Sequence, residues 1–110
     1  MLKIVNNKID LGTLKFNKVH YFTAQFLNTD TKDSVKITEV RPGCGSCTVA
    51  YFDNVTILPG ETNTMKLEFT PNSVTNGDSK IMKSVRIRYR VLPSINEHEM
   101  NLTFEAKVTL

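Results

Sequence analysis

The sequence lacks any apolar run long enough to cross a membrane, and it lacks the pattern that directs a chain to be exported. Its opening segment, MLKIVNNKIDLG, contains no basic region followed by an apolar stretch, so we expect neither a secretory signal nor a membrane partner. A chain that is not exported stays in a reducing compartment. The sequence therefore predicts a cytoplasmic location, where a stable disulfide is not expected.

Catalytic motifs are also absent from the sequence. Its two histidines are His20 and His98, and no nucleophile elbow, phosphate-binding loop or zinc-protease helix motif is present. Asp30 and Asp33 lie close together, but carboxylates in a turn commonly hydrogen-bond their own backbone. We therefore expect no enzyme, no cofactor and no small-molecule substrate.

Neither sign of charge dominates the chain. Fourteen basic and eleven acidic side chains give a net charge of +3, which is too weak to indicate nucleic-acid binding without a local basic patch. Hydrophobic residues make up 40% of the sequence and charged residues 23%, as is typical of a folded globular protein. A chain of 110 residues can bury a core of its own, so we expect one domain over residues 1–110.

The dominant pattern is an alternation of apolar and polar residues with a period of two, interrupted by turn residues every eight to twelve positions. This spacing is typical of an all-β sandwich, and no segment of eleven or more residues has a helical period. The first strand is expected to be short and broken, ending at Gly12. Pro59–Gly60 and Asn76–Gly77 are expected to form tight turns that use the conformational freedom of glycine. Seven or eight strands in two antiparallel sheets, packed face to face, are the predicted fold.

Five segments, in order, carry a resemblance to a known family. They are the pattern F-x-A-x-F-x-N-T over Phe22–Thr29, ITEV over Ile37–Val40, GCGSCTVA over Gly43–Ala50, ILPGET over Ile57–Thr62 and MKLEFTP over Met65–Pro71. The chain resembles a bacterial family of unknown function that is related to the major sperm protein, PapD-like and HYDIN-type domains. A Cys-Gly-Cys-Thr turn followed by a Pro-Gly turn marks that family. The resemblance spans roughly residues 11–110, and it implies an immunoglobulin-like β-sandwich. The family has no established catalytic residues, so the resemblance assigns none to this chain.

Cys44 and Cys47 are separated by two residues, whereas the turn of that family has one residue between its cysteines. A redox pair needs a helix behind it to lower the thiol pKa, but the sequence after Cys47, Thr-Val-Ala-Tyr-Phe, favours a strand. A structural zinc site needs about four ligands, and His20 and His98 are scattered. We favour a tight turn beneath which the small cysteines pack, with no metal, while Cys44 and Cys47 remain the candidate metal or redox residues.

Arg86, Arg88 and Arg90 share one face of a predicted strand, about 7 Å apart, where a ladder of cations can bind phosphates or an acidic partner. The alternative is that the three arginines pair with glutamates of the last strand. If Tyr89 lies opposite Leu102, Arg86 faces Glu105. Registers shifted by two residues pair another of the three arginines with Glu99 or Glu105.

Every register considered leaves no more than two of these arginines unpaired. Nucleic-acid binding is not expected, because the aromatic residues of the strand alternate inward and do not line the charged face. Arg86, Arg88 and Arg90 remain candidates for an interaction with protein. Tyr21 and Tyr51 are further candidates, because partly exposed tyrosines either anchor a contact or cover the edge of a sheet.

These observations favour a non-enzymatic structural or interaction module that docks on a larger assembly. Small immunoglobulin-like domains without export signals resemble those that decorate bacteriophage capsids and tails. The expected partners are therefore capsid or tail subunits, and the expected location is the virion if the gene belongs to a phage and the cytoplasm otherwise. The alternative is an envelope-type binding module that uses Cys44 and Cys47 for metal or redox chemistry.

Overall fold

The structure is a computed structural model, and it describes residues 1–6 and 8–110. The described residues form nine strands and no helix. The strands are β1 (Leu2–Ile4), β2 (Lys8–Lys15), β3 (His20–Asn28), β4 (Val35–Pro42), β5 (Thr48–Phe52), β6 (Thr56–Ile57), β7 (Thr62–Phe69), β8 (Ile81–Val91) and β9 (Glu97–Thr109). No helix that could span a bilayer occurs in this part of the chain.

The nine strands form two sheets packed face to face. One sheet has four strands in the order β1-β3-β7-β5, and the other has five in the order β2-β9-β8-β4-β6. The predicted all-β, immunoglobulin-like sandwich is thus confirmed. The strand count exceeds the expected seven or eight because the broken first strand is two strands, β1 and β2, which lie in different sheets.

Strand β2 departs from the expected strand pattern in two ways. It pairs with β9 in parallel, whereas the sheets were expected to be antiparallel throughout. It also continues past Gly12, where the first strand was expected to end. Gly12 has a positive φ of 73°, its N–H donates to Asp10 Oδ1 at 2.8 Å, and the register with β9 shifts between Asp10 and Thr13. A glycine in this conformation lets the strand bulge and continue.

The core lies between the inward faces of the two sheets. Alternate residues of β3, β7, β8 and β9 are buried, as the period-two pattern predicts. Phe104 from the five-stranded sheet meets Phe22 and Phe69 from the four-stranded sheet, with both pairs of ring centroids 5.1 Å apart in edge-to-face geometry. This aromatic cluster joins the two layers.

The two predicted tight turns are present. Gly60 has φ of 75°, and Glu61 N–H donates to the carbonyl of Leu58 at 3.0 Å across the Pro-Gly turn between β6 and β7. Gly77 has φ of 56° in the β7–β8 loop. Both glycines lie in the left-handed region that other residues avoid, which is why the sequence alone identified them.

Asn28 closes the end of β3 with its side chain. Its amide nitrogen donates to the carbonyls of Asp33 and Ile57 at 2.9 and 3.0 Å, and its side-chain oxygen accepts from Asp30 N–H at 3.0 Å. The residue is fully buried. Asn28 therefore ties the β3–β4 loop to β6 on the opposite sheet.

Candidate protein-docking surface

Cys44 and Cys47 form a disulfide in the turn between β4 and β5, where no stable disulfide was expected. That prediction considered only the compartment and not the turn. Thr48 N–H donates to the carbonyl of Cys44 at 3.0 Å, and this bond curls the backbone until the two Cα atoms are 5.5 Å apart, within bridging range. Cys47 is buried, as expected for packing beneath the turn, while Cys44 is partly exposed.

Strand β5 begins at Thr48, directly after the second cysteine, as the sequence predicted. No helix is seated behind Cys47 to stabilise a thiolate there. In the disulfide state neither sulfur carries the negative charge of a thiolate, which is the form of cysteine that binds metals. His20 on β3 and His98 on β9 lie in different sheets, and the described residues contain no group of three or more metal-ligating side chains.

The register of the β8–β9 hairpin differs from those considered for the sequence. Tyr89 lies opposite His98, four residues away from the register that pairs it with Leu102. The inward faces still match, but β9 begins at Glu97 and the connection from β8 is short. The apolar alternation that begins at Leu102 does not extend to the first residues of this strand, because His98 and Met100 are only partly buried. The sequence pattern therefore could not locate the start of β9.

The three arginines of β8 all lie beside glutamates. Arg90 Nη2 is 3.4 Å from Glu97 Oε1, and Arg88 Nε is 3.3 Å from Glu99 Oε1. Both pairs are directly opposite in the β8–β9 ladder. This outer face of the five-stranded sheet therefore pairs its own charges.

Arg86 joins the two neighbouring strands through its guanidinium. It donates to Glu39 Oε1 on β4 at 2.9 Å and lies 3.4 Å from Glu99 Oε1 on β9. The hydrogen bond from Arg86 holds the pKa of Glu39 below its ordinary value, and the same bond raises the pKa of Arg86. Glu39 also approaches Arg41 at 3.6 Å. Any acidic partner would have to displace these carboxylates.

The outer face of the four-stranded sheet has a different character. Tyr21, Val49 and Tyr51 are 75%, 53% and 46% exposed, although all three lie within regular strands. In the ladder, Glu68 of β7 lies between Tyr21 and Val49, and Lys66 lies next to Tyr51. We call these five residues, Tyr21, Val49, Tyr51, Lys66 and Glu68, the tyrosine face.

A shallow depression of about 230 Å³ lies within the tyrosine face, with Tyr21 and Tyr51 on its walls. Lys66 Nζ is 3.2 Å from Asp53 Oδ1 at its border, whereas Glu68 forms no ion pair with any described residue. An exposed apolar surface with a concave centre and a polar rim is typical of a protein-binding site. The sequence identified the two tyrosines; Val49 was missed, although the alternation in Thr-Val-Ala-Tyr-Phe places it on the same face as Tyr51.

Several solved structures share this fold. The Vibrio cholerae protease VesB aligns with 96% of this chain at a TM-score of 0.73 and 9% identity, and the periplasmic chaperone SfaE aligns with 100% at 0.71 and 10%. The PapD-like domain 7 of human CEP192 aligns with 98% at 0.65 and 12% identity. At such identities the likeness shows the fold alone.

The chain spans 31% of the length of VesB, 58% of SfaE and 84% of the CEP192 domain. No curated protein sequence matches it. The resemblance to a family of unknown function is confirmed, although this chain has Cys-Gly-Ser-Cys where Cys-Gly-Cys-Thr was given as the mark of the family. The family model described as "Protein of unknown function (DUF1573)" matches residues 2–108, and the chain belongs to that family.

Proposed function

We propose that this protein is a non-enzymatic interaction module that binds another protein through the tyrosine face. The observation that carries the proposal is the exposure of Tyr21, Val49 and Tyr51 side by side on one sheet. Tyrosine is enriched among the residues that contribute most to protein–protein binding, because it buries a large rigid surface at a small cost in conformational entropy.

The charges of the tyrosine face indicate the chemistry of the partner. Lys66 is already close to Asp53, so its charge is partly neutralised within the chain. Glu68 lies between Tyr21 and Val49 and forms no ion pair with another described residue. The partner surface therefore carries apolar side chains that fill the depression and a lysine or arginine that pairs with Glu68.

Three features support a non-enzymatic role. The sulfurs of the two cysteines are bonded to each other, the arginines of β8 lie beside glutamates, and the two histidines are in different sheets. Among the described residues, the two cysteines and two histidines therefore do not form a nucleophile–base pair. The protease and chaperone activities in the names of similar structures belong to those larger proteins.

The partner we propose is a subunit of a larger assembly, such as a bacteriophage capsid or tail, and the location would follow that of the assembly. One observation favours the alternative of an envelope-type module. The disulfide between Cys44 and Cys47 persists in an oxidising compartment and is reduced in the cytoplasm. Thiol titration immediately after lysis under acid quench distinguishes the two locations, because a cytoplasmic chain yields two free thiols and an exported chain yields none.

Photo-crosslinking in the source cells tests the proposed face. A photoreactive amino acid in place of Tyr51 is expected to capture a second protein, and the same amino acid in place of Met82, on the outer face of the other sheet, serves as the matched control. The captured protein is identified by mass spectrometry and then purified for binding measurements. We expect Tyr21→Ala and Tyr51→Ala each to weaken its binding about tenfold or more.

Two results would refute the proposed face. One is equal capture of the same protein from the Met82 position. The other is an unchanged dissociation constant for the double variant Tyr21→Ala/Tyr51→Ala, with circular dichroism showing that the variant is folded.

A further inference from the structure

The two sheets have four edge strands, and three of them are protected against pairing with another chain. Strand β1 has three residues and an outward Lys3, and β6 has two residues. Strand β2 carries Lys8 and Lys15 and contains a bulge. Short length, lysine and bulges are the devices by which natural edge strands avoid adding a further strand.

Strand β5 has none of these protections. Its sequence, Thr-Val-Ala-Tyr-Phe, contains no charge, no proline and no glycine, and its pairing with β7 is regular over all five residues. β-Branched and aromatic residues in such a run favour strand pairing. The fourth edge is therefore open to another strand.

Backbone groups of β5 point alternately toward β7 and toward this open edge. Asp53 N–H donates to Thr64 carbonyl at 3.1 Å, and Thr70 N–H donates to Cys47 carbonyl at 2.8 Å. The backbone N–H and carbonyl groups of the odd-numbered residues of this segment thus point toward β7. By the alternation of an antiparallel ladder, the even-numbered residues direct theirs outward.

The outward set consists of Thr48, Ala50 and Phe52. Thr48 N–H is already bonded to the carbonyl of Cys44 in the disulfide turn, at 3.0 Å. The edge therefore offers two donors, the N–H groups of Ala50 and Phe52, together with the carbonyls of all three outward residues.

We propose that a second copy of this chain pairs with the open edge, β5 against β5 and antiparallel, with the two-fold axis at Ala50. In this register the two Ala50 residues exchange two hydrogen bonds. Phe52 N–H of each copy donates to Thr48 carbonyl of the other, which adds two more. Thr48 N–H would otherwise donate to the Phe52 carbonyl of the other copy, but it is already bonded to the carbonyl of Cys44. The ladder therefore has four hydrogen bonds, and the carbonyl of Phe52 stays free to bond water.

The side chains of β5 complement themselves in the same register. Val49 of one copy lies opposite Tyr51 of the other, a pairing of β-branched and aromatic side chains that stabilises antiparallel ladders. The small side chain of Ala50 meets its own copy at the axis. Lys66 of one copy and Glu68 of the other lie in one row, three strand spacings or about 14 Å apart, so charges of opposite sign face each other. A second copy therefore fits this edge without a clash of like charges.

This inference goes beyond the proposed function, because it concerns the edge of the sheet, whereas the proposed partner binds its face. Pairing at the edge would join two four-stranded sheets into one of eight strands. The tyrosine faces of both copies would then form a continuous surface. A partner of the assembly would meet two copies of each tyrosine.

Sedimentation equilibrium of the oxidised chain tests the proposal. We expect twice the 12.4 kDa mass of the single chain at concentrations of roughly 10–100 μM, the range of a standard weak homodimer. Ala50→Pro removes an outward N–H that forms no hydrogen bond with the described residues, and it is expected to raise the dissociation constant at least about tenfold. Tyr21→Ala changes the face and leaves the edge intact, so it is expected to keep the dimer.

A charge series keeps the test decisive if Ala50→Pro does not fold. Val49→Glu and Tyr51→Lys are each expected to weaken the dimer. The double variant is expected to recover it, because the new carboxylate of one copy lies opposite the new ammonium group of the other. Ile95→Glu, at an 82% exposed position in the β8–β9 turn, is the control for added charge and should leave the mass unchanged.

A single-chain mass up to roughly 0.5 mM would overturn the inference, and so would a dimer that Ala50→Pro leaves intact. These outcomes separate the two proposals. A monomer whose tyrosine face still captures another protein refutes the second copy and retains the proposed function. A dimer whose tyrosine face captures no other protein refutes the proposed function and retains the pairing with a second copy.

Discussion

Asn28 is a buried polar residue whose structural role cannot be recognised from the sequence. The segment Asn-Thr-Asp-Thr-Lys-Asp reads as a polar turn, and the sequence gives no sign that its first residue is fully buried. Burial is acceptable because three hydrogen bonds satisfy the side-chain amide. One of these bonds goes to Ile57, which is distant in sequence, and local patterns contain no information about such a partner.

The hydrogen bond between Arg86 and Glu39 predicts a pH dependence of stability. Because Arg86 lowers the pKa of Glu39 in the folded chain below its ordinary value of 4.5, the ionised carboxylate stabilises the fold at neutral pH. That contribution is lost as the pH falls through the lowered pKa. When the pH is lowered from about 6 to about 3, the unfolding free energy of both chains falls. We expect it to fall less for Arg86→Gln than for the unmodified chain, as measured by urea unfolding at each pH.

Lys83→Gln is the control for this measurement, because it removes a cation from the same strand but not from the hydrogen bond. It should keep the pH profile of the unmodified chain. An NMR titration should show the pKa of Glu39 rising in Arg86→Gln. Parallel pH profiles for all three chains would contradict the assignment.

At the scale of an element, the turn between β4 and β5 leads to a prediction about the disulfide. The bond encloses only the four residues Cys44–Cys47, so chain entropy limits its contribution to about 2 kcal/mol. The hydrogen bonds of the turn do not depend on it. Reduction is therefore expected to lower the unfolding free energy by that amount or less while the β-sheet circular dichroism persists.

The double variant Cys44→Ser/Cys47→Ser is the control, and its stability should not respond to reductant. Thiol titration verifies before the measurement that the chain is fully oxidised. Complete unfolding on reduction would contradict the expectation.

The alternation of apolar and polar residues predicts which side chains of a strand point inward, but it does not predict the register between strands. Alternation correctly separated the inward residues of β8 and β9 from the outward ones, because side chains of a strand point to opposite faces with a period of two. The same period is unchanged by a shift of two residues, so it cannot select among registers. The actual register, with Tyr89 opposite His98, is set by the short connection between the strands.

The candidate site was accessible from the sequence in part. Tyr21 and Tyr51 stand out as aromatic residues at outward positions. Their proximity depends on β7 lying between β3 and β5, and this strand order is a property of the whole sheet. Val49 and Glu68 join the tyrosine face for the same reason. No local pattern indicates which strands become neighbours.

At the scale of the whole molecule, the aromatic contact between the two sheets is expected to make a large contribution to the unfolding free energy. Phe104 is 1% exposed and packs against Phe22 and Phe69. Removing this ring leaves a cavity that the facing sheets cannot readily close. We expect Phe104→Ala to lower the unfolding free energy by about 3–5 kcal/mol, measured by urea unfolding.

Phe16→Ala is the matched control, because Phe16 is 40% exposed in the β2–β3 connection. Its loss should cost less than about 1 kcal/mol. Similar losses for the two variants would mean that the contact between the layers is not the principal source of stability.

The parallel pairing of β2 with β9 governs when the molecule can finish folding. Lys8 pairs with Thr103 and Lys15 with Thr109, so the partners are separated by more than ninety positions along the chain. During synthesis on the ribosome, β2 has no neighbour until the last strand has been made. The newborn chain must therefore keep β2 from associating with other molecules until β9 has been made. Lys8 and Lys15, at the two ends of β2, oppose such association, because their charged side chains keep the unpaired strand solvated.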